Sequence, residues 1–307
     1  MPILLDVNPP MRRSISIDGG GIRGIVALVI LERLRKHRDA LLDEADILAG
    51  TSTGGIIALL LARDLPISTA LELYTLHGHE IFSRRWAHYL GLTGARYSSR
   101  NLRRLLQENL GGKTLGELRK KVVIPAFDIL GRGRKPPRWH AKVFHNFQGS
   151  EDNSVPAWSV AMATSAAPTY FKAYKGYVDG GLIANNPCMV ALAQLADDRH
   201  RPATSPEKMT MLSIGCGSAR ERLSDPDYDF GKLSVGTLVE ILLTGTEDVP
   251  TYQARALLGG RFLRIDPLLD EDIPLDGVDR IDALLRIGME WPLADAYRWL
   301  DTVWDQF

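Results

Sequence analysis

Short apolar runs alternate with segments of helical periodicity over most of the chain. The apolar runs predict buried strands at residues 14–17, 46–49, 122–127 and 209–214. Apolar residues at helical spacing predict helices at residues 25–37, 55–63, 68–77, 102–109, 155–164, 187–198, 233–243 and 293–305. Strands that alternate with helices predict an α/β protein with a mostly parallel central sheet.

The pattern contains no internal repeat and no linker that would separate two domains. We therefore expect residues 1–307 to form a single catalytic domain, with a core at about 12–217 and a mainly helical extension at 218–307. The most apolar run, residues 56–62, is too short to cross a bilayer and is expected to be a buried helix.

The overall charge predicts no partner, because 37 Lys and Arg residues balance 37 Asp and Glu residues. Two cysteines are too few for a disulfide framework. Residues 1–14 lack the basic and apolar pattern of a secretory signal peptide. These features predict a protein of the cytoplasm, with peripheral contact at the inner membrane surface left open.

Charge is nevertheless distributed unevenly along the chain. Residues 84–142 contain 15 Lys and Arg against 3 Asp and Glu. Such a run is typical of a solvated face, and it is also what a surface for anionic lipid headgroups or a phosphate-bearing ligand requires.

A candidate nucleophile lies in the sequence Gly50-Thr51-Ser52-Thr53-Gly54, which fits the pattern G-x-S-x-G. A reactive serine has to project from a sharp turn between a strand and a helix, and glycines at Gly50 and Gly54 remove the side chains that would clash there. The predicted strand before Ser52 and the predicted helix after it supply that context. The following helix also presents unpaired N–H groups and the positive end of its dipole to developing negative charge.

A glycine-rich turn, Asp18-Gly19-Gly20-Gly21-Ile22-Arg23-Gly24, follows the first predicted strand. Its successive amides are able to converge on an anion such as the tetrahedral oxyanion of acyl transfer. Arg23 would brace this turn or contact a substrate phosphate. The same turn matches the dinucleotide fingerprint G-x-G-x-x-G, so an oxidoreductase remains an alternative, although the expected acidic residue does not end the next strand.

The base that would accept the serine proton is less evident from the sequence. In the chain order of α/β-hydrolases an acidic residue and then a histidine follow the serine, and His200 is the last of the seven histidines along the chain. It lies in a polar stretch typical of a solvated loop. Asp179, at the end of the short run Tyr177-Val178-Asp179 before two glycines, is the better candidate, because burial would raise its pKa and strengthen it as a base. An ordinary Asp-Gly turn is the alternative interpretation.

Together, the motifs at residues 18–24, 50–54 and 179–181 resemble the patatin-like phospholipase family. The stretch 163–171 and the sequence Asn185-Asn186-Pro187 share this resemblance, which covers about residues 14–217. It implies a three-layer α/β/α fold and the hydrolysis of fatty-acyl esters in phospholipids. It implies no metal and no cofactor.

The resemblance also implies roles for individual residues. Ser52 would be the nucleophile and Asp179 the base of a Ser-Asp dyad. The backbone of Gly19, Gly20 and Gly21, with Arg23 beside it, would form the oxyanion hole. A membrane phospholipid substrate is expected. A cyclic-nucleotide activator of the kind used in anti-phage defence, a homo-oligomer and a non-catalytic binding protein on the same fold stay open.

Overall fold

In the part of the chain that the structure describes, a mixed sheet of seven strands forms the centre of the molecule. The computed structural model describes residues 11–83, 94–200, 203–218, 241–269, 271 and 273–306. The strands are β1 (Arg12–Ile17), β2 (Ile47–Gly50), β3 (Lys121–Asp128), β4 (His140–His145), β5 (Tyr177–Asp179), β6 (Met209–Ile214) and β7 (Phe262–Ile265).

The strand order is β4-β3-β2-β1-β6-β7, and β5 pairs with β3. Strands β1, β2, β3, β6 and β7 run parallel to one another, whereas β4 and β5 run antiparallel to β3. This arrangement confirms the predicted α/β class with a mostly parallel sheet.

Helices follow most of the strands along the chain. They are α1 (Gly24–His37), α2 (Leu41–Glu44), α3 (Thr53–Ala62), α4 (Ile67–Thr75), α5 (Gly78–Ile81), α6 (Ser99–Leu110), α7 (Ala157–Thr164), α8 (Gly181–Ala184), α9 (Cys188–Ala196), α10 (Asp248–Leu258), α11 (Ile281–Glu290) and α12 (Ala294–Trp299). A π-helix, Leu300–Trp304, continues α12.

Two apolar cores, one on each face of the sheet, produce the three layers. Alternate residues of a strand point to opposite faces, so Leu48 of β2 packs in the core with α1 and α3 while Ile47 and Ala49 pack in the core with α9 and α10. Because both faces are covered, the inner strands read as nearly continuous apolar runs rather than alternating ones.

The segment after residue 217 contributes to both the sheet and the helical layers. Strand β7 extends the sheet next to β6, and α11 packs against α1, where Gly288 approaches Val29 so closely that a β-carbon there would lie 2.7 Å from the valine. Neither β7 nor α11 was among the predicted elements. Most of the predicted helix at 233–243 lies outside the described residues. Within the described ranges, no helix combines the length and apolarity needed to cross a bilayer.

The sheet brings the predicted motifs to one edge. The glycine-rich turn leaves the carboxyl end of β1 and Ser52 follows the carboxyl end of β2, which is parallel to it. Beyond the end of β2, the same side of β3 pairs with β5, which runs in the opposite direction and places Asp179 opposite Ala126. The carboxyl ends of β2 and β5 therefore lie near each other along β3. Ser52 follows the end of β2, Asp179 ends β5, and the two residues meet there.

Candidate active site

Ser52 lies on a strained turn between β2 and α3. Its φ of 54° and ψ of −118° lie in a region that L-residues rarely adopt. The Ser52 amide donates to Thr164 Oγ1 at 3.0 Å, and Thr164 Oγ1 donates in turn to the carbonyl of Pro125 at 2.6 Å. These bonds hold the turn against β3 and help to keep the Ser52 side chain in place.

The two glycines of the turn are required by close backbone packing. A β-carbon at Gly50 would lie 2.0 Å from the carbonyl oxygen of Gly54, and one at Gly54 would lie 2.2 Å from the carbonyl oxygen of Ile17. No side chain could be accommodated without moving the backbone. This geometry is the one expected from the G-x-S-x-G pattern.

The hydroxyl of Ser52 donates a hydrogen bond to Asp179. The distance from Ser52 Oγ to Asp179 Oδ2 is 2.6 Å, and Asp179 Oδ1 accepts the Gly181 amide at 2.7 Å. The second bond orients the carboxylate toward the serine. The structure thus brings together two side chains that are 127 positions apart in sequence.

Burial raises the pKa of Asp179 to about 6, although the hydrogen bonds from Ser52 and the Gly181 amide lower it. Asp179 is 3% exposed, so its carboxylate is poorly hydrated. A carboxylate with this pKa is a stronger base than an exposed aspartate and remains ionised at neutral pH. In this geometry Asp179 is able to accept the Ser52 proton as the hydroxyl attacks an electrophile.

The glycine-rich turn faces the same point from β1. Gly20 and Gly21 line a cavity together with Ser52 and Asp179. Among the described residues, no hydrogen-bond acceptor pairs with the Gly20 or Gly21 amides. Gly21 has a φ of 56° and lies against the backbone of Leu275, where a β-carbon would approach the carbonyl oxygen to 2.2 Å.

Gly19 requires a correction to the predicted set of amide donors. Its N–H donates to the carbonyl of Asn185 at 3.0 Å, so this proton is not available to an oxyanion. Gly19 instead allows close packing, because a β-carbon there would lie 2.2 Å from Asn185 Oδ1 and 3.4 Å from the Ser52 β-carbon. The half-buried Arg23 ends the turn, and its buried Nε has no partner among the described residues.

The cavity in front of Ser52 is mainly apolar. It holds about 560 Å³ of space, part of it open to solvent. Its walls are formed largely by aromatic and aliphatic side chains, which include Ile56, Tyr74, Ile81, Phe82, Leu102, Tyr170, Phe171, Leu243 and Leu275. Such a wall favours a hydrocarbon chain over a polar ligand.

No histidine lines this cavity in the part of the chain that the structure describes. The side chain of His200, the alternative base, lies outside the described atoms. Within the same ranges, no cluster of His, Cys, Asp and Glu side chains has the geometry to hold a metal ion.

Two supporting residues of the site had no assigned role from the sequence. Thr164 fixes the Ser52 amide as described above, and Asn185 contacts Gly19 through both its backbone and its side chain, with Nδ2 at 3.3 Å from the Gly19 carbonyl oxygen. Both lie within the stretches that carried the family resemblance, which was the only signal available for them.

Residues far along the chain complete the support of the glycine-rich turn. Arg264 of β7 forms an ion pair with Asp18 at 2.6 Å, and the two side chains are 8% and 1% exposed. Burial raises the pKa of Asp18, while Arg264 opposes this effect. Glu247 accepts from Asn185 Nδ2 at 2.5 Å. No motif surrounds Glu247 or Arg264 in the sequence, so their contribution was not predicted.

Comparison with known proteins gives the following matches. The family described as patatin-like phospholipase matches residues 15–192, which is more than half of the chain. The Protein teg of Priestia megaterium is 25% identical over 332 residues, a match that covers 95% of this chain and 99% of that protein. The cGAMP-activated phospholipase of Pseudomonas aeruginosa is 28% identical over 289 residues, covering 89% of this chain and 84% of that protein.

Among solved structures, VipD from Legionella pneumophila matches with a TM-score of 0.42 and 12% identity. The match covers 91% of this chain and 67% of that one. At this level of similarity no functional property is transferred.

Proposed function

This chain belongs to the patatin-like phospholipase family and is a lipid acyl hydrolase, and we propose from that premise that a dyad of Ser52 and Asp179 cleaves the fatty-acyl esters of phospholipids. The single observation that carries the proposal is the 2.6 Å hydrogen bond from Ser52 Oγ to the buried Asp179 carboxylate.

In this mechanism Asp179 accepts the Ser52 proton while Ser52 attacks the ester carbonyl carbon. Asp179 returns this proton to the glycerol-side oxygen, which leaves as an alcohol when the ester C–O bond breaks and the acyl-enzyme forms. Water then attacks the acyl-enzyme, Ser52 Oγ recovers a proton, and the fatty acid is released. The acyl chain would lie against the apolar wall of the cavity, which includes Phe82, Leu102 and Phe171. Water attack on the acyl-enzyme would use Asp179 again as the base.

The developing oxyanion is proposed to accept hydrogen bonds from the Gly20 and Gly21 amides. Their availability and their position on the cavity support this assignment, and the positive end of the α3 dipole begins at Ser52. Gly19 is left out for the reason given above, and Arg23 stays a candidate for contact with the substrate phosphate.

The alternatives have less support. A dinucleotide-binding oxidoreductase would leave the Ser52–Asp179 pair unexplained, and it does not fit the family. A non-catalytic protein of this family would have no need of the aligned hydroxyl and carboxylate.

The single catalytic domain is also a proposal. It is supported by β7 in the sheet and by the contacts of Glu247 and Arg264 with the residues around the glycine-rich turn.

The pH dependence of turnover tests the dyad. Asp179 acts as a base only when ionised, and burial raises its pKa to about 6. We therefore expect kcat/KM to be constant above neutral pH and to fall about tenfold for each pH unit below 6. The measurement is fatty-acid release from an uncharged ester over this range, with thermal melting as a control for unfolding. A value of kcat/KM that stays constant from neutral pH to well below pH 6 would contradict Asp179 as the base.

Activation by a cyclic nucleotide is a further part of the proposal. It is supported by the similarity to a relative that is described as a cGAMP-activated phospholipase. We expect cGAMP to raise fatty-acid release from vesicles by about tenfold or more, within the usual range of coupling between two sites. The control is the linear dinucleotide of the same composition. Equal rates with cGAMP, with other cyclic dinucleotides and without any nucleotide would contradict activation by a cyclic nucleotide.

Assembly into a homo-oligomer stays a prediction.

A further inference from the structure

An exposed loop rich in cations leaves the sheet at the edge that carries the candidate active site. The loop joins β3 to β4 over residues 129–139 and contains four cations and no acidic residue, namely Arg132, Arg134, Lys135 and Arg138. Two large apolar side chains of the loop are exposed to solvent. Trp139 is 71% exposed and Leu130 is 60% exposed.

A second cationic turn, residues 172–176, packs against this loop. The Ile129 amide donates to the Gly176 carbonyl at 2.9 Å, and Arg132 Nη2 donates to the Lys175 carbonyl at 2.5 Å. Lys172 and Lys175 are both exposed. We call the combined surface the cationic rim, which consists of Leu130, Arg132, Arg134, Lys135, Arg138, Trp139, Lys172 and Lys175.

Most of the charge of the cationic rim is not neutralised. Arg132 pairs with Asp128 at 3.0 Å. Within the described parts of the chain, no carboxylate lies within ion-pair distance of the other five cations of the rim. A chain with zero net charge therefore presents a local positive field on this surface.

The cationic rim lies beside the cavity. Lys172 directly follows Tyr170 and Phe171, which line the cavity wall. The Arg132 guanidinium lies 4.1 Å from the centre of the Tyr177 ring. Tyr177 begins β5, and Asp179 follows two residues, or about 7 Å, further along this strand.

We propose that the cationic rim docks the enzyme on an anionic lipid bilayer, with Trp139 and Leu130 entering the headgroup region. The inference rests on the proposed function, since the bilayer would be the source of the substrate. Lys and Arg side chains are attracted to anionic lipids, and tryptophan prefers the interface between water and lipid. The exposed Leu130 favours a bilayer over a nucleic acid, because phosphates and bases would leave this aliphatic side chain without an apolar partner.

Vesicle binding tests the cationic rim independently of catalysis. All proteins carry Ser52→Ala so that the vesicles stay intact, and binding is compared between phosphatidylcholine vesicles and an equimolar mixture with phosphatidylglycerol. The triple variant Arg134→Ala, Lys135→Ala, Arg138→Ala should bind the anionic vesicles about a hundredfold more weakly than its parent. A matched triple variant, Lys36→Ala, Arg255→Ala, Arg286→Ala, loses the same charge from exposed helical positions elsewhere and should bind like the parent.

Trp139 supplies a second readout. Its fluorescence should shift to shorter wavelength on anionic vesicles, and the shift should be absent from the Trp139→Ala protein. The proposal is overturned if both triple variants bind alike, if phosphatidylcholine binds as tightly as the anionic mixture, or if duplex DNA is bound in preference to the anionic vesicles. With Ser52 restored, hydrolysis of a soluble short-chain ester should be unchanged in the rim variant. If neither the parent nor the rim variant cleaves that ester when Ser52 is present, the proposed function fails. The vesicle-binding comparison still decides the role of the cationic rim.

Discussion

Replacing Ser52 with alanine is expected to lower fatty-acid release by at least about four orders of magnitude. The expectation follows from the loss of the only proposed nucleophile, and removal of the serine in a serine protease has an even larger effect. The fold should be retained, because the position of Ser52 is fixed by the hydrogen bond from its backbone amide to Thr164 Oγ1 and not by its hydroxyl. Fatty acid released from mixed phospholipid vesicles is the quantity to measure.

The matched control for this variant is Ser159→Ala. Ser159 is a buried serine whose hydroxyl contacts Tyr174, and unlike Ser52 it does not line the cavity. It should retain activity close to that of the wild type. Release of fatty acid by the Ser52→Ala protein at the wild-type rate would rule out Ser52 as the nucleophile.

Replacing Asp179 with asparagine is expected to lower turnover by about four orders of magnitude, comparable to the loss of the acidic residue in serine proteases. Asparagine preserves the shape of the side chain and still accepts the Gly181 amide, which Asp179 Oδ1 now accepts. It has no carboxylate to accept the Ser52 proton. The loss should therefore appear in kcat, while the melting temperature should not fall.

Two further observations separate this interpretation from structural damage. The residual activity of Asp179→Asn should lack the inflection near pH 6 that is expected from the Asp179 pKa in the wild type. The variant His200→Ala should be nearly neutral, because His200 has no proposed role. A large loss in His200→Ala together with an active Asp179→Asn would favour a Ser-His arrangement.

Local sequence was sufficient for the elements that form the site. The strand before Ser52, the helix after it and the requirement for Gly50 and Gly54 follow from short-range packing that the pattern encodes directly. The local sequence made Asp179 a candidate base beside an ordinary Asp-Gly turn, and the family resemblance decided between the two. No local signal reveals that β5 meets β2 end to end beside β3.

Other features depend on contacts between distant parts of the chain. The use of the Gly19 amide by Asn185 is set by how α8 and the following residues pack on the glycine-rich turn, which periodicity does not report. Strand β7 is only four residues long, and its Arg264 is a buried cation whose partner lies in another motif. A short run that contains a charged residue is typical of a loop, so neither the strand β7 nor the ion pair of Arg264 was predicted.

Covalent labelling with a fluorophosphonate probe tests the Ser52–Asp179 dyad most directly, because it requires neither the natural lipid nor its headgroup. Peptide mapping by mass spectrometry, with and without cGAMP, identifies the labelled residue. We predict that the wild-type protein is labelled at Ser52 and that the Asp179→Asn protein is labelled far more slowly. Labelling of a different residue, or labelling of Ser52 at the same rate in both proteins, would contradict the dyad.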